Sequence, residues 1–179
     1  IKSADLSMHP SLDYARDMFM FSFYTRGMSF VDMAYLRKKD LTDGILSCRR
    51  RKTKQRMSIR WERCMQEIVD KYDSSRSSFL LPIIRPDSCF EERRQYIYAS
   101  HNINHSLKAL SRRLEMDIPL TMYVARHSWA SIARSKNIPL VVISEGMGHE
   151  SESTTRIYLA SLSTNIIDEA NSMIIESLF

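Results

Sequence analysis

Apolar residues recur at intervals of three and four positions along most of this chain, and that helical spacing limits the possible folds more than any other feature. Glycine and proline interrupt it rarely, with four and five occurrences among 179 residues. A chain of this length can bury enough surface for one domain with its own core. The sequence therefore predicts a mainly α-helical domain. The clearest apolar stripe consists of Ile103, Leu107, Leu110 and Leu114.

The predicted helices begin and end at polar or helix-breaking residues, and Thr121 is the predicted N-cap of one of them. No internal repeat, low-complexity tract or second domain is evident. The helices are predicted over residues 10–24, 29–36, 62–72, 91–114, 121–134, 137–148, 153–158 and 163–178.

The segment between residues 37 and 63 differs from the rest in charge. It holds eleven Lys or Arg and three acidic residues, whereas the remainder holds 15 basic and 18 acidic residues, for a net charge of +5. Strands predicted at 45–50 and 56–59, with a turn near 52–54, make this segment a hairpin. The predicted fold class is therefore mainly α with a small antiparallel β-hairpin or three-stranded sheet at one edge. Such a basic hairpin fits a DNA phosphate backbone, although a solvated hairpin is the alternative.

Cysteine usage and hydropathy bear on location. Cys48, Cys64 and Cys89 are odd in number and have no CxxC spacing, which favours reduced thiols in a cytoplasmic protein. No apolar run reaches the roughly 18 residues of a membrane span, so no membrane partner is expected. The chain begins with Ile1, which favours an excised piece of a longer protein.

Two motifs near the C-terminus carry residues suited to phosphodiester chemistry. "YVARHSWASIA" contains Arg126, and "GMGHESESTTRIYLA" contains His149 and Tyr158. Arg126 precedes His149 by 23 positions, and His149 precedes Tyr158 by nine. A guanidinium offers a planar fork to two phosphate oxygens, an imidazole can donate to the same phosphate, and a phenol can act as nucleophile.

These motifs resemble the second half of the active site of the tyrosine recombinases, the phage integrase family. That family has an H-x-x-R box on a helix, then L-G-H, then a nucleophilic tyrosine. The opening "FYTRGMSFVDMAYL" is most similar to integrases carried by conjugative transposons. The resemblance runs through the whole chain. It implies that residues 1–179 are a catalytic domain whose N-terminal core-binding domain, and an arm-binding domain where there is one, are absent.

The resemblance also implies roles for individual residues. Tyr158 would attack the DNA phosphate and keep it as a 3′-phosphotyrosine, so that resealing needs neither a cofactor nor a metal. Arg126 and His149 would stabilise the phosphate. "RRKTK" fits the hairpin motif that carries a catalytic lysine, which selects Lys52, with Lys54 as the second choice.

Two positions depart from the family pattern. The first arginine of the family precedes an acidic residue by three positions, and counting back from Asp32 gives Ser29. We expect Arg26, three residues earlier, to supply the missing guanidinium. Tyr123 stands where the H-x-x-R box has its histidine; it can hydrogen-bond near the phosphate but cannot serve as an imidazole base. Water or Lys52 is then left as the general base.

Other histidines have simpler interpretations. His101 and His105 have the i, i+4 spacing of metal ligands, but no Cys or acidic cluster accompanies them, so a zinc site is not predicted. His127 lies about 100° around the helix from Arg126 and is expected in the core or behind the site.

The function predicted from the resemblance is site-specific DNA strand exchange during integration and excision of a mobile element. Double-stranded DNA is the expected partner, together with a homotetramer joined through the helix at 163–178 and accessory DNA-bending proteins. That helix could instead fold back on its own domain. Two other functions stay open: a DNA-binding module that has lost catalysis, and a type IB topoisomerase-like enzyme that relaxes DNA.

Overall fold

The computed structural model describes residues 1–72, 77–149 and 151–160, and within the last of these ranges not the side chains at 157, 158 and 160. Seven helices and a three-stranded sheet lie in this part of the chain. The helices are α1 (Pro10–Tyr24), α2 (Phe30–Ala34), α3 (Arg63–Asp70), α4 (Glu92–Arg113), α5 (Met122–Ser135), α6 (Leu140–Met147) and α7 (Glu152–Ala160). The strands are β1 (Leu41–Thr42), β2 (Ile45–Arg49) and β3 (Arg56–Arg60), and one 3₁₀ turn spans Lys38–Asp40.

Helix α1 is the central element of the main core. Pro10 opens it, since the fixed φ of proline suits the first helical turn. Helices α3, α4 and α5 pack against it. The buried side chains Met18, Phe21, Leu107 and Leu110 come from the helical stripes that the sequence shows. Burial of this apolar surface is what holds the helices together, because helices this short are marginal in water on their own.

A second, smaller cluster holds the C-terminal elements. Ala130 of α5, Ile143 and Met147 of α6 and Leu159 of α7 are buried together. Arg134 on α5 also donates from Nη1 to the carbonyl of Leu159 at 2.9 Å. These contacts dock α7 onto the same body that carries α5 and α6.

The sheet is antiparallel in the order β1-β2-β3 and forms the basic edge of the domain. Leu46 lies opposite Ile59, and both are buried, while the alternate positions face solvent. Arg49 lies opposite Arg56. The alternation of apolar and polar residues thus fixes which face of the hairpin packs on the helices.

The fold class is confirmed: the protein is mainly α with a small antiparallel sheet. Among the described residues no helix is long and apolar enough to cross a membrane. Thr121 occupies the predicted N-cap position of α5, but its side chain makes no capping hydrogen bond. The amide of Met122, the first residue of the helix, donates to Asn104 Oδ1 at 2.9 Å and so joins this helix end to α4. The helix predicted at 163–178 lies outside the described residues.

Candidate active site

A cleft of about 870 Å³ lies between α4, α5, the β2–β3 hairpin and the start of α7. Of the described residues that line it, four are cationic and none is acidic. This is the charge balance expected of a site for an anion. The four cations are Arg50, Lys52, Lys108 and Arg126, and Ser29, Tyr123, His149 and Thr154 also line the cleft.

Arg126 projects from α5 and is only 6% exposed. Its Nη1 donates to the carbonyl of Gly27 at 2.7 Å, and its Nη2 donates to the carbonyl of Met147 at 2.8 Å. Gly27 has a φ of +70°, and a Cβ atom on it would lie 2.7 Å from Arg126 Cα. Only glycine allows the chain after α1 to approach α5 this closely. The close approach brings the Gly27 carbonyl to Arg126 and aligns the guanidinium.

His149 contacts Arg126 on one side and Thr155 on the other. Arg126 Nη2 lies 2.9 Å from His149 Nε2, and His149 Nδ1 lies 2.6 Å from Thr155 Oγ1. A guanidinium only donates, so Nε2 must accept, and we assign the imidazole proton to Nδ1. Burial, together with the charges of Arg126 and Arg50, lowers the pKa of His149 to about 4. The imidazole is therefore neutral near pH 7 and presents a lone pair at Nε2.

The turn before His149 explains the glycine of the motif. Gly148 ends α6 with a φ of +64°, the left-handed conformation common after helices. A Cβ atom on Gly148 would lie 2.7 Å from Arg50 Cδ and 3.3 Å from Met57 Sδ. Gly148 thus both reverses the chain toward His149 and leaves room for the β2–β3 hairpin to pack against the turn.

Arg50 follows β2 and is buried in the cleft wall, with 8% of its surface exposed. Its Nη1 donates to the carbonyls of Met147, at 3.2 Å, and Gly148. Its Nε lies 3.6 Å from Asp32 Oδ2. No role for Arg50 was predicted from the sequence, because no local pattern distinguishes it from the other arginines of the basic segment. Its burial depends on the carbonyls of Met147 and Gly148, which lie 97 and 98 positions away in the sequence.

Asp32 is the acceptor that joins α2 to the hairpin. Ser29 Oγ donates to its Oδ2 at 2.6 Å, and the amide of Arg51 donates to its Oδ1 at 2.8 Å. Asp32 is buried, so these donors and Arg50 compensate its charge. Asp32, the residue from which the position of Ser29 was counted, therefore holds the hairpin in place.

The structure separates the two candidate lysines of the hairpin. Lys52 is exposed and lines the cleft. Lys54 is exposed, has a φ of +60° and is not among the residues that line it. This geometry favours Lys52 over Lys54, and its catalytic role remains a prediction.

Tyr123 and Arg26 lie in different surroundings. Tyr123 is 58% exposed, lines the cleft one turn before Arg126, and packs edge-on against His127. Arg26 has a φ of +61° and does not line the cleft. Its Cδ lies 3.7 Å from the position of a Cβ on Gly146, a position that also borders the Trp129 ring. The structure thus brings Tyr123, but not Arg26, to the cleft with Arg126 and His149.

Helix α7 carries Tyr158, and two buried residues of this helix dock it beside the cleft. Thr155 is fully buried and contacts His149, and Leu159 is buried in the smaller core. Thr154 lines the cleft, and Tyr158 follows it by four positions, about one helical turn. The side chain of Tyr158 itself lies outside the described part of the chain.

Another depression, of about 950 Å³, lies between α1 and α4 and is lined by Tyr14 and Tyr72 among others. Burial raises the pKa of Tyr14 to about 12 and, with the Asp17 carboxylate that accepts from its hydroxyl, raises the pKa of Tyr72 as well. These phenols are held protonated and are poor nucleophiles. His101 and His105 are exposed on α4. In the described ranges no three His, Cys, Asp or Glu side chains cluster as a metal site would require.

Comparison with known proteins agrees with this fold. Residues 6–164 match the phage integrase family, and the chain belongs to that family. Tyrosine recombinase XerD of Halalkalibacterium halodurans is 26% identical over 147 residues, which cover 81% of this chain and 49% of that protein. The chain thus spans about half the length of this relative.

Two solved structures share the fold. XerH site-specific recombinase bound to difH substrate, in a pre-cleavage complex, gives a TM-score of 0.60 at 18% identity, covering 90% of this chain and 49% of that one. A lambda integrase (75–356) dimer bound to a COC′ core site gives a TM-score of 0.57 at 16% identity, covering 81% and 51%.

Proposed function

We propose that this chain is the catalytic part of a site-specific DNA recombinase that uses Tyr158 as its nucleophile. The observation that carries the proposal is the hydrogen-bonded pair of Arg126 and His149 in a cationic cleft, with the helix of Tyr158 docked on His149 through Thr155. The cleft can bind a phosphate, and the residue that the sequence selects as nucleophile lies on the helix at its rim.

The reaction follows from what each group can donate or accept. The Tyr158 oxygen attacks the phosphorus, a new O–P bond forms, and the bond to the 5′-oxygen breaks. The neutral His149 accepts the phenol proton at Nε2, and the resulting imidazolium then donates to the phosphoryl oxygens. Arg126 stabilises the charge on those oxygens, and Lys52 protonates the leaving 5′-oxygen. Reversal of the same steps reseals the strand.

The DNA-binding face is assigned to the basic hairpin. Arg49 and Arg56 lie directly opposite each other and both are exposed. Like charges at such a pair destabilise a free hairpin, and a phosphate backbone between or beside them removes that repulsion. Lys108 on α4 extends the positive surface to the other side of the cleft.

The relatives support double-stranded DNA as the partner, since XerH and lambda integrase are seen on their DNA sites. The greater length of the matched relatives supports a clamp completed by domains that precede the catalytic part. We extend the proposal to integration and excision of a mobile element of the conjugative-transposon type. A homotetramer coupled through residues 163–178, with accessory DNA-bending proteins, would carry out strand exchange, and free thiols at Cys48, Cys64 and Cys89 fit a cytoplasmic setting.

The test is covalent capture on nicked DNA. A pool of nicked duplexes with randomised sequence around the nick is incubated with the chain, and protein–DNA adducts are recovered after denaturation. The nick lies close to the cleavage position, so that the short fragment with the freed 5′-hydroxyl diffuses away and the strand cannot be resealed. Adduct with the unaltered chain and none with Tyr158→Phe supports the proposal. Equal binding without adduct in either protein indicates a DNA-binding module, and relaxation of supercoiled DNA without recombinants indicates a topoisomerase-like enzyme.

A further inference from the structure

The cleft contains a second buried guanidinium that the sequence did not assign. Arg50 and Arg126 are 8% and 6% exposed, and both donate to the carbonyl of Met147. Two guanidinium groups that share one acceptor lie close together, and arginine stays charged at any pH at which a protein is folded. Burying them side by side is unfavourable unless an anion lies between or in front of them.

The described residues supply only part of that compensation. Asp32 Oδ2 lies 3.6 Å from Arg50 Nε and accepts a hydrogen bond from Ser29 Oγ, while Asp32 Oδ1 accepts one from the amide of Arg51. Nη1 of Arg50 is occupied by backbone carbonyls. Among the residues that the structure describes, none accepts a hydrogen bond from Nη2 of Arg50. The cationic excess of the cleft therefore includes a donor of Arg50 that no described group uses.

Arg50 lies beside Asp32, the acidic residue from which the position of the family's first arginine is counted. Ser29 stands where a first arginine is expected, and its hydroxyl contacts the same Asp32 oxygen that lies nearest Arg50 Nε. Ser29 and Arg50 both line the cleft, and the hairpin brings Arg50 to Asp32. Gly148 permits this, since a Cβ there would collide with Arg50 Cδ.

We infer that Arg50 is a catalytic residue whose guanidinium contacts the scissile phosphate together with Arg126. This inference rests on the proposed function. It assigns to Arg50 the missing guanidinium that we expected Arg26 to supply. Arg26 instead lies by Gly146 and Trp129 and does not line the cleft.

A positioning role would predict different behaviour. Arg50 also holds the turn that precedes His149, so its loss could act only by displacing that imidazole. Gln55 offers a matched control, because its amide nitrogen, turned toward the same turn, lies 2.8 Å from the Gly148 carbonyl and 3.2 Å from the His149 carbonyl. Gln55→Ala removes a neutral contact to the turn and leaves both guanidinium groups in place.

The test compares cleavage of a normal nicked substrate with one that carries a methylphosphonate at the scissile position. Replacing one charged oxygen by methyl removes the negative charge that a guanidinium would stabilise. We expect Arg50→Ala to slow adduct formation by about 100-fold on the normal phosphate and to recover most of that loss on the methylphosphonate. Arg26→Ala and Gln55→Ala should stay within about threefold of the unaltered chain on both substrates, well below the loss of one such donor.

Three results would overturn the inference. Normal cleavage by Arg50→Ala would exclude a catalytic role, an equal defect on both substrates would leave only positioning of His149, and a large defect in Arg26→Ala alone would return the role to Arg26. If Arg50→Ala fails to fold by circular dichroism, Arg50→Lys is compared on the same two substrates, with the same expected recovery. Absence of adduct with the unaltered chain would instead overturn the proposed function.

Discussion

Arg126 Nη2 donates to His149 Nε2 at 2.9 Å, and this one contact fixes the chemistry that the imidazole can perform. It makes Nε2 an acceptor, places the proton on Nδ1 and directs that proton to Thr155 on α7. The helix that carries Tyr158 is thereby connected to the guanidinium that would bind the phosphate. In the proposed reaction, a phosphate in the cleft would compete with His149 for Arg126 and so release Nε2 to accept a proton.

The lowered pKa of His149 predicts a pH-dependent stability. Near pH 7 the imidazole is neutral in both folded and unfolded chains. As the pH falls below about 6.5, His149 takes up a proton in the unfolded chain. In the folded chain its pKa is about 4, so it stays neutral over this range. Unfolding is therefore favoured progressively from pH 6.5 toward 4. Urea midpoints for the unaltered chain should fall over this window more steeply than those of His149→Gln. Replacing the exposed His101 by Gln serves as control, and identical slopes in all three proteins would refute the assignment.

The close approach at Gly148 predicts a specific intolerance to a methyl group. Gly148 and Gly44 both have positive φ, at +64° and +71°, but a Cβ on Gly44 would meet nothing within 4 Å. Gly44→Ala should lower the free energy of unfolding by about 1 kcal/mol, the cost of a left-handed residue. Gly148→Ala should lose about 1–3 kcal/mol more, because Arg50 and Met57 must shift. Thermal unfolding measures both, and equal losses would show that Arg50 is not packed on the turn.

The cleft geometry predicts different effects for the two hairpin lysines. Lys52→Ala should slow strand cleavage by about 100-fold or more, the usual contribution of a general acid, while Lys54→Ala should cleave nearly normally. A substrate with sulfur in place of the leaving 5′-oxygen needs no proton donor, since a thiolate leaves readily. It should therefore restore cleavage by Lys52→Ala. A defect in Lys52→Ala that persists on the sulfur substrate would remove Lys52 from the role of acid.

The opposed arginines of the sheet predict a salt effect. Replacing Arg49 and Arg56 together by Gln should weaken DNA binding and reduce the slope of log K against log salt by about 2, one for each lost phosphate contact. The same change should leave the hairpin at least as stable, because a like-charge pair is removed. Binding isotherms measured between about 50 and 200 mM salt give the slope. An unchanged slope would place DNA elsewhere.

Much of the fold could be predicted because its signals are local. The stripe of α4 and the alternation of β2 and β3 lie within single segments, so periodicity located them to within a few residues. Thr121 occupies the predicted N-cap position of α5, although its side chain makes no capping hydrogen bond. Asn104, eighteen positions before Met122, accepts from the first amide of this helix, and no local pattern indicates such a contact.

The site was predictable only where spacing along the chain encodes it. Arg126 and His149 follow a motif, and the structure does bring them into contact. Arg50 follows none: its Met147 and Gly148 contacts span 97 and 98 positions, so its burial depends on how the hairpin packs on α6. Arg26 was chosen for its nearness to Ser29 in sequence. Arg26 is not among the described residues that line the cleft.

The tyrosine that becomes bonded to DNA can be identified directly from the covalent adduct. The chain contains eight tyrosines. Adduct trapped on nicked DNA is digested with protease and nuclease, and the peptide that keeps a nucleotide is sequenced by mass spectrometry. We expect a nucleotide joined through its 3′-phosphate to Tyr158 and to no other tyrosine. A linkage at any other residue, or at the 5′ end of the broken strand, would contradict it.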